Sequence, residues 1–417
     1  AAISMPFVLE DDGSSKSTKH YIDGSAQWTR ITGESIAHLQ FDQVPGYMAC
    51  MFTTCDPIKR IDGVFSGKVN LGFGKNFKMK DAEITVNTTN ALIDVPEYFA
   101  APLDIKKGHL SARITDRAKQ WVLNELNLKL KDTNFAATGN AMKHPDGWSA
   151  QINAEAGPLP MTKLYKYWPV FLAPDSRQWV TTQIVDGVGR KATLSVTLQP
   201  KDFKEKVFPD HFLVSEIDAE NLTINYLPGF PPVKNVNGHV KFTGITMDAR
   251  ATSGDVLTGT KVVAGKVYIP DLNADKTPME ADLNVTGPAR DVATILALEH
   301  FPFEDSLKLD PEKIQGDVQG NIKLGFDAFS GMPVGQVDLD KVTYNIDAIL
   351  KGIRQPKLWG KMDLQALDGT LNTTKDRFEF NGTTTIDDTN LKLSAVQSKD
   401  SAMKVNVTGT LGHTEFA

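Results

Sequence analysis

The sequence predicts a mainly β fold, a long antiparallel sheet broken by one short helical insertion. Three observations carry the prediction. Apolar residues alternate with polar ones over segment after segment, which gives each segment one apolar and one polar face. Glycine preceded by Asp or Asn recurs at Asp62-Gly63, Asn237-Gly238, Asp368-Gly369 and Asn381-Gly382, the composition of hairpin turns. Helical periodicity is confined to the stretch around Trp168 and to a second stretch from Ala289.

Taken in order, residues 1–20 are polar after Leu9, with a loop expected over Glu10–Ser17, and strands begin at Tyr21. Val69, Leu71 and Phe73 alternate with Asn70 and Gly72. Ile84 and Val86 flank Thr85, and Leu126 and Leu128 flank Asn127. Beyond the insertion the pattern resumes at Leu194 and Val196, Leu222 and Ile224, Val267 and Ile269, Leu283 and Val285, and Ile322 and Leu324. Thr, Asn, Asp and Lys fill the other face, as in antiparallel sheets with one side in water. Asn381-Gly382 has a second reading, as a bulge inside a strand over Phe378–Thr385. Pro57–Phe65 and Pro232–Val240 echo each other, each with a proline, a lysine two residues on and an Asp/Asn-Gly pair, which fits similar β units on either side of the insertion. The expected division is a first β segment over 1–160, the helical insertion over 161–190, and a second β segment over 191–417 with one helix near 289–300. In that helix Asp291 charges or caps the first turn.

At the insertion the alternation stops. Pro169 and Pro174 suit the start of a helix and not its interior. One short helix should end near Trp168, and a second should begin near Pro174 and carry Arg177, Trp179, Val180 and Ile184 on its way to a turn at Asp186-Gly187. Trp168 and Trp179 are the expected apolar anchors. Arg177 is expected to pair with an acid or hold a helix end. Tyr167-Trp168-Pro169, Leu172-Ala173-Pro174, Arg177-Gln178-Trp179-Val180 and Gly187 resemble the central helical insertion of YhdP-type proteins, large bacterial envelope proteins of the AsmA-like superfamily; the lipid cargo that this resemblance implies gives Arg177 a contact to lipid phosphate as its functional alternative. Ile217–Leu227, followed by Pro228-Gly229-Phe230-Pro231-Pro232 and Gly238, resembles a feature that recurs after that insertion.

Composition excludes several classes. The 417 residues carry a formal net charge of −6 with a pI near 5.8, so nucleic-acid binding is not expected. Mean hydropathy is −0.25, and no apolar run is long enough for a membrane-spanning helix. The start, Ala1 to Pro6, has no basic-then-apolar leader and reads as a piece of a longer protein or a processed form. Cys50 and Cys55 flank four residues. Two thiols without His partners make no zinc site, which leaves a small disulfide and two unpaired buried thiols both open. No other metal site and no cofactor is expected. The eight histidines are scattered, and no HExxH, GxSxG, Walker or dinucleotide motif occurs. Gly72-Phe73-Gly74-Lys75 reads as a strand end and turn. Asp387-Asp388 and Asp338-Leu339-Asp340 read as solvated hairpin ends, since no calcium-loop spacing accompanies them. The chain is not expected to be an enzyme.

So many one-sided strands with so few helices leave apolar area to be covered, because exposed patches beyond a few hundred Å² mark binding sites. Sandwiches, a closed barrel or a lipid-lined trough would each do it. The AsmA-like resemblance implies the third: an elongated, twisted antiparallel β-sheet curled into a hydrophobic groove that holds phospholipids or other acyl lipids along the strand residues named above. It also implies a bridge between inner and outer membrane of a Gram-negative envelope, reached through segments absent here. The location it implies is the periplasm, with the anchor in the inner membrane supplied from outside this chain. The alternatives are a structural or adhesive β-sandwich array without lipid, and a carbohydrate-active enzyme with its acids in the Asp-rich turns.

Overall fold

The computed structural model describes residues 2–10, 19–51, 61–171, 174–205, 212–227, 229–272, 278–298, 309–327, 341–359, 362–386, 389–399 and 401–409. The protein is mainly β, a long antiparallel sheet that is not closed into a barrel, with few and short helices. The strands up to and including the one after the helical insertion are β1 (Ala2–Glu10), β2 (Lys19–Thr29), β3 (Glu34–Pro45), β4 (Ile61–Phe73), β5 (Met79–Ile93), β6 (Leu103–Thr115), β7 (Gln120–Leu130), β8 (Asn134–His144), β9 (Gly147–Ala156), the two-residue β10 (Leu159–Pro160) and β11 (Ile184–Leu198). Then follow β12 (Leu213–Ile224), β13 (Val233–Thr243), β14 (Thr246–Val256), β15 (Thr260–Ile269), β16 (Pro278–Pro288), β17 (Gln315–Asp327), β18 (Thr343–Trp359), β19 (Met362–Thr374), β20 (Arg377–Ile386), β21 (Thr389–Ser398) and β22 (Lys404–Gly409). The helices are α1 (Leu164–Tyr167), α2 (Pro174–Gln183), α3 (Pro200–Glu205) and α4 (Ala289–Leu296).

Two compact units divide the chain. The first comprises Ala1–Arg177, Val188–Ile217 and Phe242–Gly244, the second Gln178–Gly187, Asp218–Lys241 and Ile245–Ala417. In the first, β1 to β9 pair antiparallel in sequence order, and β9 then pairs with β11. In the second, β14 to β22 pair in the same consecutive way. Meanders of this kind join neighbours with short turns and bury one face.

Both units interrupt their ladders with extra residues. Register shifts fall between Phe41 and Val44, Gly63 and Phe65, and Ile105 and Lys107 in the first unit, and between Gln315 and Asp317 and Leu350 and Ile353 in the second. Bulges of this sort bend a strand and increase its twist. The hairpin reading of the Asp/Asn-Gly pairs is corrected as well, since all four lie inside strands, β4, β13, β19 and β20. At Gly63, φ is +147° and an added Cβ would stand 2.7 Å from the Ala91 backbone, so glycine serves a bulge there. Gly369 and Gly382 face each other in register, and the Phe380 ring lies within 2.8 Å of where either Cβ would be. There glycine makes room for an aromatic ring, and the pairing at Gly382 is regular.

The helical expectations hold with two corrections. Helix α1 ends at Tyr167 with Trp168 as its cap residue, and α2 starts at Pro174. Ile184, however, opens β11 and is not helical, and Asp186-Gly187 continues that strand. Gly187 takes φ +111°, and its N–H donates to Asp186 Oδ1 at 2.8 Å. Helix α4 ends at Leu296, short of the expected boundary, and His300 lies outside the described residues. Gly72 to Lys75 is a strand end and turn. The Cys50–Cys55 pairing, Asp338, Asp340, Asp387 and Asp388 fall on side chains or residues outside those described.

Candidate functional site

The register builds one apolar face in each unit. In the first, Phe41 opposes Gly67, Val69 opposes Ile84, Ile84 opposes Ala112, and Val86 opposes Leu110. Leu126 continues the row opposite Leu110 and Ala137, and Ala154 faces Leu194 while Ile152 faces Val196. Leu71 lies beside Ala82, Phe73 beside Met79, and Leu128 beside Phe135. In the second unit Val267 opposes Ala281, Val285 opposes Val262, and Leu283 opposes Ile322. Ile322 in turn opposes Ile346, Leu324 opposes Ala281 and Tyr344, and the row runs on through Ala348, Leu371, Phe380 and Ala395. Ile269 pairs with Met247 at a strand end, and Leu222 is buried beneath the close approach of Gly187 with Ile224 half-buried beside it. Leu222 and Ile224 apart, the sequence-predicted lining residues of each unit thus fall on one face of its ladder.

The opposite face is polar and cross-linked from strand to strand. In the first unit His38 Nδ1 meets Asn70 at 2.8 Å, His109 Nδ1 meets Asn87 at 2.7 Å, and Ser195 donates to Asn153 at 2.9 Å. In the second, Asn321 donates to Asp282 and Asn284, and Asn372 donates to Asn345 and Asp347. Two surface depressions, of about 410 Å³ and 810 Å³, lie largely among these polar ladders. They are furrows between side chains, and a trough open along its length encloses no volume of its own.

What covers the apolar face is local. Most lining side chains are half-buried, and at Ile152 the side chain is 42% exposed. Among the described residues two buried clusters join neighbouring strands with a helix, and another, around Phe378, Phe380 and Ala395, joins strands alone. In the first unit Ala91, Ile105 and Leu130 form a cluster on which Phe65, Leu128, Phe135 and Tyr167 pack. Tyr167 packs there from the insertion and, like Trp168 and Trp179, is half-buried. Its hydroxyl donates to Asp132 at 2.9 Å and Lys166 Nζ reaches the same oxygen at 3.3 Å. Burial, with the Asp132 bond and charge added, pushes the Tyr167 hydroxyl up to about 12. Burial alone would raise Asp132, but the bonds from Tyr167 and Lys166 outweigh it and hold that carboxyl below its usual value. Arg177 holds a helix end: Nε donates to Trp168 O at 3.1 Å and Nη2 to Tyr165 O at 2.8 Å. Tyr167 was legible only as part of the Tyr-Trp-Pro motif, because its packing partners lie 32 or more residues away.

In the second unit α4 lies on the same kind of surface. Ala289 and Ala293 join Ile314, Val318, Ala348, Ile353 and Leu364 in one cluster. Asp291, 3% exposed, does not cap its own helix. Its carboxylate accepts from Thr258 Oγ1 at 3.0 Å, from the Gly259 and Thr260 N–H groups at 2.9 Å each, and from Thr260 Oγ1 at 3.1 Å. Burial works to raise this carboxyl, and the bonds from Gly259, Thr258 and Thr260 prevail, so its pKa lies below the usual carboxylate value. No group of three or more metal-ligating side chains occurs among the described residues.

The architecture defines a class: an open antiparallel sheet with one apolar face on which short helices lie. The chain belongs to the YhdP family, whose model, described as YhdP protein, matches residues 70–416. No curated protein and no solved structure matches the chain. Membership of this family suggests a lipid-transport-related protein.

Proposed function

We propose that the chain is a segment of a bridge-like lipid transfer protein, one that carries phospholipid acyl chains along its apolar sheet face between the inner and outer membranes of a Gram-negative envelope. One observation carries the reading. Apolar side chains face one another from strand to strand across each ladder, yet most are only half-buried, and the short helices that pack on them lie at one end of the strands. A sandwich array would bury that face under a second sheet. Each methylene buried on it contributes about 0.8 kcal/mol, so two acyl tails, even partly covered, are worth roughly ten kcal/mol or more before ordering costs. Head groups stay in water, and no catalytic group is required. On this reading the protein works in the periplasm, and anchoring to the inner membrane comes from a region outside this chain.

Native mass spectrometry of gently purified protein tests the proposal. Co-purifying phospholipid is the expected result. Protein that carries none, and that binds none when offered labelled phospholipid, would be a structural or adhesive array instead.

A further inference from the structure

The tight turns of the first unit carry a second surface. Ile31, at the β2–β3 tip, is 95% exposed, and Phe77, at the β4–β5 tip, is 74% exposed with φ at +56°. A bulky side chain in the left-handed region is unfavourable, and so is leaving that ring in water. Neither position gains packing in return. The tips stand side by side. An added Cβ at Gly33 would meet Lys75 Cγ at 3.2 Å, the Arg117 N–H donates to Lys80 O at 2.9 Å, and the Lys143 N–H donates to Lys119 O at 2.7 Å. Behind the tips, on the apolar face, stand Trp28 and Trp121, each nearly half exposed.

The charge on this rim is opposite to that of the whole chain. Arg30, Lys75, Lys78, Arg117, Lys119 and Lys143 are exposed on the four tips, and Lys80 pairs with Glu34 at 3.3 Å. Against them stand Asp81, Asp116 and Asp146. Exposed Ile and Phe at turn tips, tryptophans just behind them and flexible cations alongside are the side chains that settle at a boundary between hydrocarbon and anionic head groups.

We propose that this hairpin rim docks edge-on to an anionic lipid bilayer, with Ile31 and Phe77 entering the interface and the rim cations meeting lipid phosphates. Ile31, Phe77 and the rim cations lie outside the sequence-predicted lining of the apolar face, and the docking stands without the lipid-carrying reading.

Flotation of the 417-residue chain with vesicles tests it. Vesicles of phosphatidylcholine with a third of phosphatidylglycerol should bind the chain at least about tenfold more tightly than phosphatidylcholine alone, and added salt should weaken that binding. Ile31→Ser with Phe77→Ser, and separately Lys75→Glu with Lys78→Glu and Arg117→Glu, should each lower binding by about tenfold or more with an unchanged circular dichroism spectrum. Lys323→Glu, a charge reversal on the polar face of the second unit, should leave it unchanged. Absence of binding to the anionic vesicles, or equal binding by parent and folded rim variants, would overturn the proposal. Binding lost in Leu194→Lys and kept in the rim variants would also overturn it, and would point to the apolar face. As a second measurement, brominated lipid should quench tryptophan fluorescence in the parent and not in the Ile31/Phe77 variant.

Discussion

Asp291 concentrates more bonding than any other carboxylate described in the second unit. Asp291→Asn keeps its shape but loses the charge that strengthens four hydrogen bonds, and should cost about 2–3 kcal/mol, read as a lowered melting temperature. The pH dependence follows from the direction of its shift. A carboxyl held below its unfolded-state value stabilises the fold while it is ionised, so its contribution is complete above the usual carboxylate pKa and is lost as pH falls through the lower folded-state value. Melting temperature should therefore drop more steeply in the parent than in Asp291→Asn as pH falls through and below the usual carboxylate range. A parent no steeper than the variant would remove Asp291 from the acid limb. Gly382→Val should be costly for another reason, because the Phe380 ring occupies the space of the added side chain. Of these features, an acid in the first turn of a helix was legible in sequence. Its partners were not, since a hairpin turn 31 residues upstream supplies them.

Among the elements, strands were the most legible, because a two-residue alternation survives any tertiary context that keeps one face wet. Helix starts at Pro174 and the stop near Trp168 were legible from the missing proline N–H. What misled was Asp/Asn followed by glycine: in an extended strand the same pair can mark a bulge, as at Gly63, or a seat for an aromatic ring, as at Gly382. The insertion yields a prediction at this scale. Arg177→Ala removes two bonds to the carbonyl end of α1 and should cost about 1–2 kcal/mol, and lysine should restore little of it because one ammonium cannot repeat the guanidinium fork. Hydrogen exchange at residues 164–168 reads the effect, and unchanged protection in Arg177→Ala would show that α1 is held from elsewhere. Trp179→Ala should cost about 1–2 kcal/mol, less than the truncation of a fully buried ring.

For the whole molecule, the test of the apolar face is substitution at its middle. Leu194→Lys in the first unit and Leu283→Lys in the second place a charge where acyl chains would lie, while the long stem lets the ammonium lean toward water and spares the fold. Phospholipid retained on purification should fall in both variants, and undiminished retention in each would show that the face is not the lipid path. Within each unit, a strand touches chiefly the strands before and after it and the short helices. A ladder of that kind behaves as a one-dimensional chain of interacting links: its stability accumulates link by link, and it can begin to fold before its last strand has been made. It can also be lengthened. Inserting one hairpin pair at a turn would add two rungs, about 10 Å at the spacing of paired strands, without altering the cross-section of what lies on either side. The distance such a protein spans would then be set by counting hairpins, as the length of a ruler is set by its divisions.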